Sequence, residues 1–253
     1  MNIPEDILKL IFDAIQPVSL KQYQCHVPQL QQRYKWLLPM AAVSRSWRQA
    51  CLRLAYRTLI IEINTETGTT ASNIPALLEI DQEALAREVC ISIHGPESIS
   101  PEELHEKLQR AKLFATAWLG VDLLHVSQQS QNMVNHRYNR IYETAEAVIA
   151  EWEQLNTDLS ISLPSLRQIA LDDLSSFDAY GHLWLDQLIN EHASGPYKLN
   201  SLRVFSDTPP RLNLQHPMQI ARLHIDGVTF SRPLMPSWLL IQAEYLRELT
   251  LSS

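Results

Sequence analysis

Glycine and cysteine are scarce in this chain. Only 6 glycines occur in 253 residues, which leaves little material for the glycine-rich loops that cradle phosphate groups. Three widely spaced cysteines, Cys25, Cys51 and Cys90, form no evident disulfide framework, and the chain has no Asn-x-Ser/Thr sequon. These absences make nucleotide binding unexpected and favour a reducing compartment.

Long hydrophobic runs are also lacking. The longest apolar stretch, Trp36 to Val43, is far shorter than the roughly 20 residues of a membrane-spanning helix. The N-terminus is acidic, whereas a signal peptide begins with basic residues. We therefore expect a soluble protein of the cytoplasm or nucleus that makes no membrane contact. Its length predicts one or two domains with a sizeable core.

Acidic residues are missing between Asp13 and Glu62, and this window contains seven basic residues: Lys21, Arg33, Lys35, Arg45, Arg48, Arg53 and Arg57. The window carries +7 and the rest of the chain −14, which together give the net charge of −7. We expect the window to meet an acidic partner. No nucleic-acid partner is expected, because seven cations mixed with apolar residues in a chain of pI 5.7 are a poor electrostatic footprint for it.

Two N-terminal segments have helical periodicity. The first has apolar residues at positions 7, 8, 11, 12 and 15 and opens with Pro4, Glu5 and Asp6, a favourable helix start. The second is predicted from Pro39 to about Tyr56. Between them, residues 16–36 are rich in Gln and contain two prolines, so they are interpreted as an inserted linker.

These two segments resemble an F-box, the short helical motif of substrate receptors in cullin-RING ubiquitin ligases. The family pattern is Leu-Pro, an acidic residue, an apolar helix and later Val-Cys-Arg-x-Trp. Here it stands as Ile3-Pro4-x-Asp6-Ile7 and, after the linker, as Val43-Ser44-Arg45-Ser46-Trp47. The chain departs from the pattern at Ile3, Asp6 and Ser44 and in its long linker, which is similar to those of fungal F-box proteins.

The resemblance covers residues 1–57 and implies that this part docks on the small acidic adaptor subunit of an SCF-type ligase. The docking residues that it implies are Pro4, Ile7, Leu8, Ile11, Leu37, Val43 and Trp47. F-box receptors often carry leucine-rich repeats, which display a target protein of the ligase. Here the target is unknown.

Residues 58–253 are predicted to form a repeat-like domain, because from Tyr56 onward the chain repeats the spacing apolar-x-x-apolar-x-apolar, which is typical of the strands of leucine-rich repeats. It occurs at Tyr56/Leu59/Ile61, Ala86/Val89/Ile91, Val121/Leu124/Val126, Leu166/Ile169/Leu171, Ile220/Leu223/Ile225 and Leu246/Leu249/Leu251. Many such matches arise by chance at this apolar content. A tighter recurrence, Leu166-Arg167, Leu202-Arg203 and Leu246-Arg247, predicts three equivalent strand starts, with Phe205 as the central apolar residue of the middle strand.

Segments with helical periodicity lie between these strands, at 101–119, 138–155, 179–192 and 234–245. Alternation of strands and helices predicts parallel pairing. The fold class is therefore expected to be α/β: an α-helical F-box-like motif followed by an irregular leucine-rich-repeat-like solenoid with a parallel sheet. Whether its last strand is a free edge, is completed by another chain or belongs to a shortened protein is left open.

Chemical motifs are not evident. The nine histidines show no HExxH spacing, and neither a CxxC pair nor a Gly-x-Ser-x-Gly elbow occurs. We expect no enzyme activity, no metal and no cofactor. In a solenoid, residues between the buried strand positions face the open sheet. The candidate target contacts are Glu88, Cys90, His125, Gln168, Arg222, His224 and Glu248.

Three hypotheses follow. The chain is a ligase substrate receptor, or a plain interaction solenoid whose N-terminal helices only cap one end of the sheet, or a hydrolase with an unforeseen pocket. Burial of Leu8 and Val43 under residues after Ile60 would favour the second hypothesis, because no docking face would then remain.

Overall fold

The structure is a computed structural model that describes residues 37, 39–80, 83–95, 99–129, 145–172, 187–189, 199–205, 222–226 and 247–252. Its bounded α-helices are α1 (Arg45–Ala55), α2 (Ile74–Glu79), α3 (Pro101–Arg110) and α4 (Ala145–Ser162). Short 3₁₀ turns lie at Glu83–Leu85 and Leu113–Ala115. The strands are β1 (Thr58–Asn64), β2 (Thr69–Ser72), β3 (Glu88–His94), β4 (Leu123–Gln129), β5 (Gln168–Asp172), β6 (Ser201–Phe205), β7 (Arg222–Asp226) and β8 (Glu248–Ser252).

The described strands form one eight-stranded sheet in the order β2-β1-β3-β4-β5-β6-β7-β8. Only the edge pair β1 and β2 is antiparallel, and every other pair is parallel. Apart from β2, each strand lies beside its neighbour in the chain. The expected α/β class with a mostly parallel sheet is confirmed.

The apolar triplets align across this sheet. One row runs through the central residues Leu59, Val89, Leu124, Ile169, Leu202, Leu223 and Leu249. A second row, two residues further along each strand, starts at Ile61 and ends at Leu251. All six predicted triplets are therefore in register with one another.

The prediction for β6 was wrong by three residues, because Leu202 and not Phe205 occupies the central row. The buried residue three positions before the central one is Leu199. Leu202-Arg203 is therefore not equivalent to Leu166-Arg167 or Leu246-Arg247, which both precede their strands. The dipeptide recurs in two different structural positions.

The backbone repeats one hydrogen-bond pattern at the amino-terminal edge of the parallel strands. The Arg57 carbonyl accepts from the amides of Arg87 (2.8 Å) and Glu88 (3.1 Å). The carbonyls of Arg87, Asp122 and Arg167 each accept two amides from the start of the next strand in the same way. These bonds keep the starts of successive strands in register, although the connections between the strands differ in length.

The main core lies between one face of the sheet and helices α3 and α4. It contains Leu104 and Leu108 of α3 and Trp152, Leu155 and Leu159 of α4, packed with the apolar rows of the sheet. Helix α3 begins where predicted, since the Ser100 hydroxyl accepts from the Glu103 amide at 3.1 Å and Pro101 follows. It ends at Arg110 and not at Leu119.

The other predicted helices are described in part. Helix α4 covers 145–162, so the segment before Ala145 lies outside the described residues and the helix extends past the predicted end at Leu155. Of the segment 179–192 only the helical residues 187–189 are described, and 234–245 lies outside the described residues. Residues 1–36 also lie outside them.

The edge strand β2 and the short helix α2 were not predicted. Asn73, between them, bonds to β1 with its side chain: its Oδ1 accepts from the Ile60 amide at 2.8 Å, and its Nδ2 donates to the Thr58 carbonyl at 3.0 Å. Asn73 thus continues the pairing of β1 beyond the end of β2.

Candidate protein-interaction surfaces

Helix α1 belongs to a small hydrophobic cluster that is distinct from the main core. Leu37, Ala50 and Cys51 are its buried members, and we call it the α1 cluster. Met40, Ala41, Trp47, Leu54 and Ala55 pack against it and are partly buried. Desolvation by burial raises the pKa of the Cys51 thiol, which keeps the thiol neutral inside the cluster.

Helix α1 starts later than predicted. Residues 39–41 form a helical turn, and Ser44 is extended (φ −161°) with its hydroxyl accepting from the Trp47 amide at 3.3 Å. Ser44 is therefore the N-cap of the helix. The predicted continuous helix from Pro39 is wrong because the chain turns at residues 42–44.

The implied docking residues have different environments. Val43 lies in the turn before α1 and is 65% exposed, whereas Leu37 is only 5% exposed and Trp47 is half-buried against the cluster. Leu37 therefore packs the cluster and does not offer a contact in this state. Pro4, Ile7, Leu8 and Ile11 lie outside the described residues.

The exposed side of α1 is cationic. Arg45, Arg48 and Arg53 are exposed, as is Arg57 just after the helix, and the chain has no acidic residue in this region. The Arg48 Nε donates to the Ala41 carbonyl at 3.4 Å, which holds this side chain over the preceding turn. An exposed apolar residue, Val43, thus lies beside a group of positive charges.

The outer face of the sheet, opposite the main core, is not the open surface that was expected. Cys90 (0% exposed) and His125 (4%) are cross-strand neighbours there, and Ile60 and Ala170 beside them are also buried. The expected exposure of Cys90 and His125 is wrong, because this face is covered along its centre. Alternation along a strand indicates which face a residue is on but not whether that face is covered.

The remaining candidate target contacts lie in one row. Glu88, Gln168, Arg222 and Glu248 are the first residues of their strands and are aligned by the pairing of β3 to β8. Glu88 and Gln168 are partly exposed, and Arg222 and Glu248 are exposed. His224 is in β7, but its side chain lies outside the described residues.

An ion pair lies at each end of this row. The Arg57 Nε lies 3.2 Å from a Glu88 carboxylate oxygen, and the Thr58 hydroxyl donates to the other at 3.0 Å. Arg222 lies 3.8 Å from Glu248.

Sequence analysis missed an adjacent set of arginines. Arg57, Arg87, Arg167 and Arg247 each stand two residues before the central apolar residue of a strand, and all four are exposed; we call them the arginine row. Three of their carbonyls take part in the repeated backbone pattern described above. Aligning the apolar triplets by their central residue would have revealed the row.

The polar groups near His94 do not form a catalytic triad. Its Nε2 lies 3.1 Å from the Ser92 hydroxyl and 3.5 Å from a Glu62 oxygen. Both partners meet the same ring nitrogen, whereas a triad places the nucleophile and the acid on different nitrogens. Among the described residues, no group of three or more His, Cys, Asp or Glu side chains is placed to hold a metal ion.

No family model, curated protein or solved structure matches the chain. Within the part of the chain that the structure describes, no helix has both the length and the apolar character needed to cross a membrane.

Proposed function

We propose that the chain is a substrate receptor of a cullin-RING (SCF-type) ubiquitin ligase. Its N-terminal F-box-like helices dock on the small acidic adaptor of the ligase, and its sheet, a leucine-rich-repeat-like solenoid, holds a target protein. The main support is the position of Val43, which is exposed at the start of a helix with its own small cluster.

Charge and packing support the same assignment. Arg45, Arg48 and Arg53 place positive charge beside Val43, which is complementary to an acidic adaptor. One apolar side chain contributes about 1.5 to 3 kcal/mol on full burial, and association costs about 4 to 15 kcal/mol. Val43 therefore acts with the other apolar residues that the family motif implies.

The repeat part of the proposal rests on the aligned rows. The seven parallel strands follow one another in chain order, two apolar rows cross them in register, and one backbone pattern repeats at their edge. These features are typical of a solenoid. The receptor itself performs no chemistry. It raises the effective concentration of a bound target near the ubiquitin-loaded enzyme elsewhere on the ligase.

Co-expression with the adaptor tests this proposal. Val43→Asp places a carboxylate where an apolar contact is expected and is predicted to abolish co-purification, because the charge would be buried or repelled by the acidic adaptor. Ile80→Asp is the matched control, since Ile80 is also an exposed apolar residue (39% exposed) but lies at the end of α2. It is expected to retain the adaptor.

Two results would refute the receptor assignment: a wild-type chain that is monodisperse and retains no adaptor, or a Val43→Asp variant that retains as much as wild type. Melting curves of both variants are recorded alongside. Either result would favour the alternative, an interaction solenoid whose N-terminal helices only cap the repeats.

A further inference from the structure

The amino-terminal edge of the parallel strands combines positive charge with exposed aliphatic side chains. The arginine row (Arg57, Arg87, Arg167 and Arg247) and the adjacent Arg222 supply five exposed cations. Among the described residues at these two positions of the strands, the carboxylates are Asp122, Glu88 and Glu248; Glu88 is paired with Arg57, and Glu248 lies 3.8 Å from Arg222. At these described positions five arginines stand against three carboxylates, in a chain whose net charge is −7.

Two large exposed apolar residues lie in the connections that lead into two strands of this edge. Leu119 is 71% exposed and Ile161 is 65% exposed. Their segments are joined, since the Trp118 amide donates to the Ser162 carbonyl at 2.7 Å. Both segments lead into a strand, Leu119 into β4 and Ile161 into β5. The two exposed apolar residues therefore lie in the connections that enter β4, which begins just after Asp122, and its neighbour β5.

We propose that the arginine row, with Leu119 and Ile161, binds an extended acidic segment of a partner protein that also carries large apolar side chains. From β1 to β8 the row crosses six strand spacings, about 29 Å at about 4.8 Å each. An extended segment of about nine residues covers that length. The inference concerns a different surface from the adaptor-docking helix and does not rest on the proposed function.

The aliphatic pair favours a polypeptide over other anions. Nucleic acid presents a uniform phosphate backbone, and the carboxylates among the arginines would repel it without gaining from Leu119 or Ile161. An acidic peptide can place a neutral or apolar residue opposite Asp122 and carboxylates opposite the arginines. Charge complementarity and apolar contact then act together.

Fluorescence anisotropy with the full chain tests the charge requirement. The probe is a labelled twelve-residue peptide made of three copies of Glu-Glu-Leu-Glu, and the comparison peptide has Gln at every Glu. The acidic probe is expected to bind, and its affinity is expected to fall as the salt concentration increases, because the contacts are exposed ion pairs. The Gln peptide is expected to bind at least about tenfold more weakly, as each exposed pair lost costs up to about a factor of five.

Variants locate the site. Arg57→Gln combined with Arg167→Gln is expected to weaken binding of the acidic probe about tenfold, by loss of two such pairs. Arg110→Gln is the matched control: Arg110 is exposed on α3 and ion-paired with Glu106 in the same helix. It is expected to leave the affinity unchanged.

Leu119→Ser combined with Ile161→Ser tests the apolar part. This variant is expected to bind the Leu-containing probe more weakly than wild type does. A peptide with Ser at every Leu is expected to bind weakly, and with the same affinity, to the variant and to wild type. The proposal is overturned if the acidic probe does not bind, if the arginine variants bind it like wild type, or if duplex DNA or phosphatidylserine vesicles bind more tightly with the same arginine dependence. Because no adaptor is present, these outcomes are independent of the receptor test.

Discussion

At the residue scale, the side chain of Asn73 substitutes for backbone at the edge of the sheet. Its bonds to the Ile60 amide and the Thr58 carbonyl satisfy groups of two residues that are about 95% buried. Asn73→Ala is predicted to lower the free energy of unfolding by about 1 to 3 kcal/mol, because both groups would be left buried and unpaired. Urea denaturation measures this difference.

Asn64 provides the control for that prediction. Its Oδ1 accepts from the Thr67 amide at 2.9 Å in an exposed turn, where water replaces the lost partner. Asn64→Ala is expected to cost less than Asn73→Ala. Equal costs would contradict the role assigned to burial.

The burial of two predicted site residues could not be predicted from the local sequence. The strand alternation placed Cys90 and His125 on the outer face, and the pairing of β3 with β4 agrees. Their burial depends on what lies over that face, which is a long-range property that no local pattern encodes. Val43 is different, since its exposure is compatible with the docking role that the F-box resemblance implies.

At the element scale, local sequence signals predicted some helix and strand boundaries and missed others. The start of α3 was predictable because Ser100, Pro101 and the following glutamates form a complete start signal. Six strands lie where the apolar triplets predicted them, although this spacing is common by chance at such an apolar content. The edge strand β2, with the sequence Thr-Thr-Ala-Ser, has no apolar alternation, so its strand form depends on pairing with β1.

The start of α1 at Arg45 gives a test at this scale. Ser44→Ala removes the acceptor of the Trp47 amide and is predicted to destabilise the helix start by about 0.5 to 1 kcal/mol. Exchange of the Trp47 amide with solvent, followed by NMR, is then expected to become about two to five times faster. Ser44→Asp keeps an acceptor at this position, so the Trp47 amide of this variant is expected to exchange at the wild-type rate. Unchanged exchange in Ser44→Ala would show that Ser44 does not cap α1.

At the scale of the whole molecule, the chain combines two differently built parts. The α1 cluster is small and carries exposed positive charge, whereas the sheet has a continuous core formed by aligned rows. The sequence predicted the difference in charge, since the acid-free window contains all of α1 and ends at Glu62 within β1. It did not predict the arginine row, because that row appears only when strands far apart in sequence are aligned.

The assignment of different partners to these two parts can be tested directly. Hydrogen–deuterium exchange of the full chain, with and without the ligase adaptor, reports which backbone amides become protected. We predict protection within residues 39–55 and in the N-terminal segment that carries Pro4, Ile7, Leu8 and Ile11, with unchanged exchange in β3 to β5. Protection confined to the sheet, or no protection at saturating adaptor, would contradict docking through the F-box-like helices.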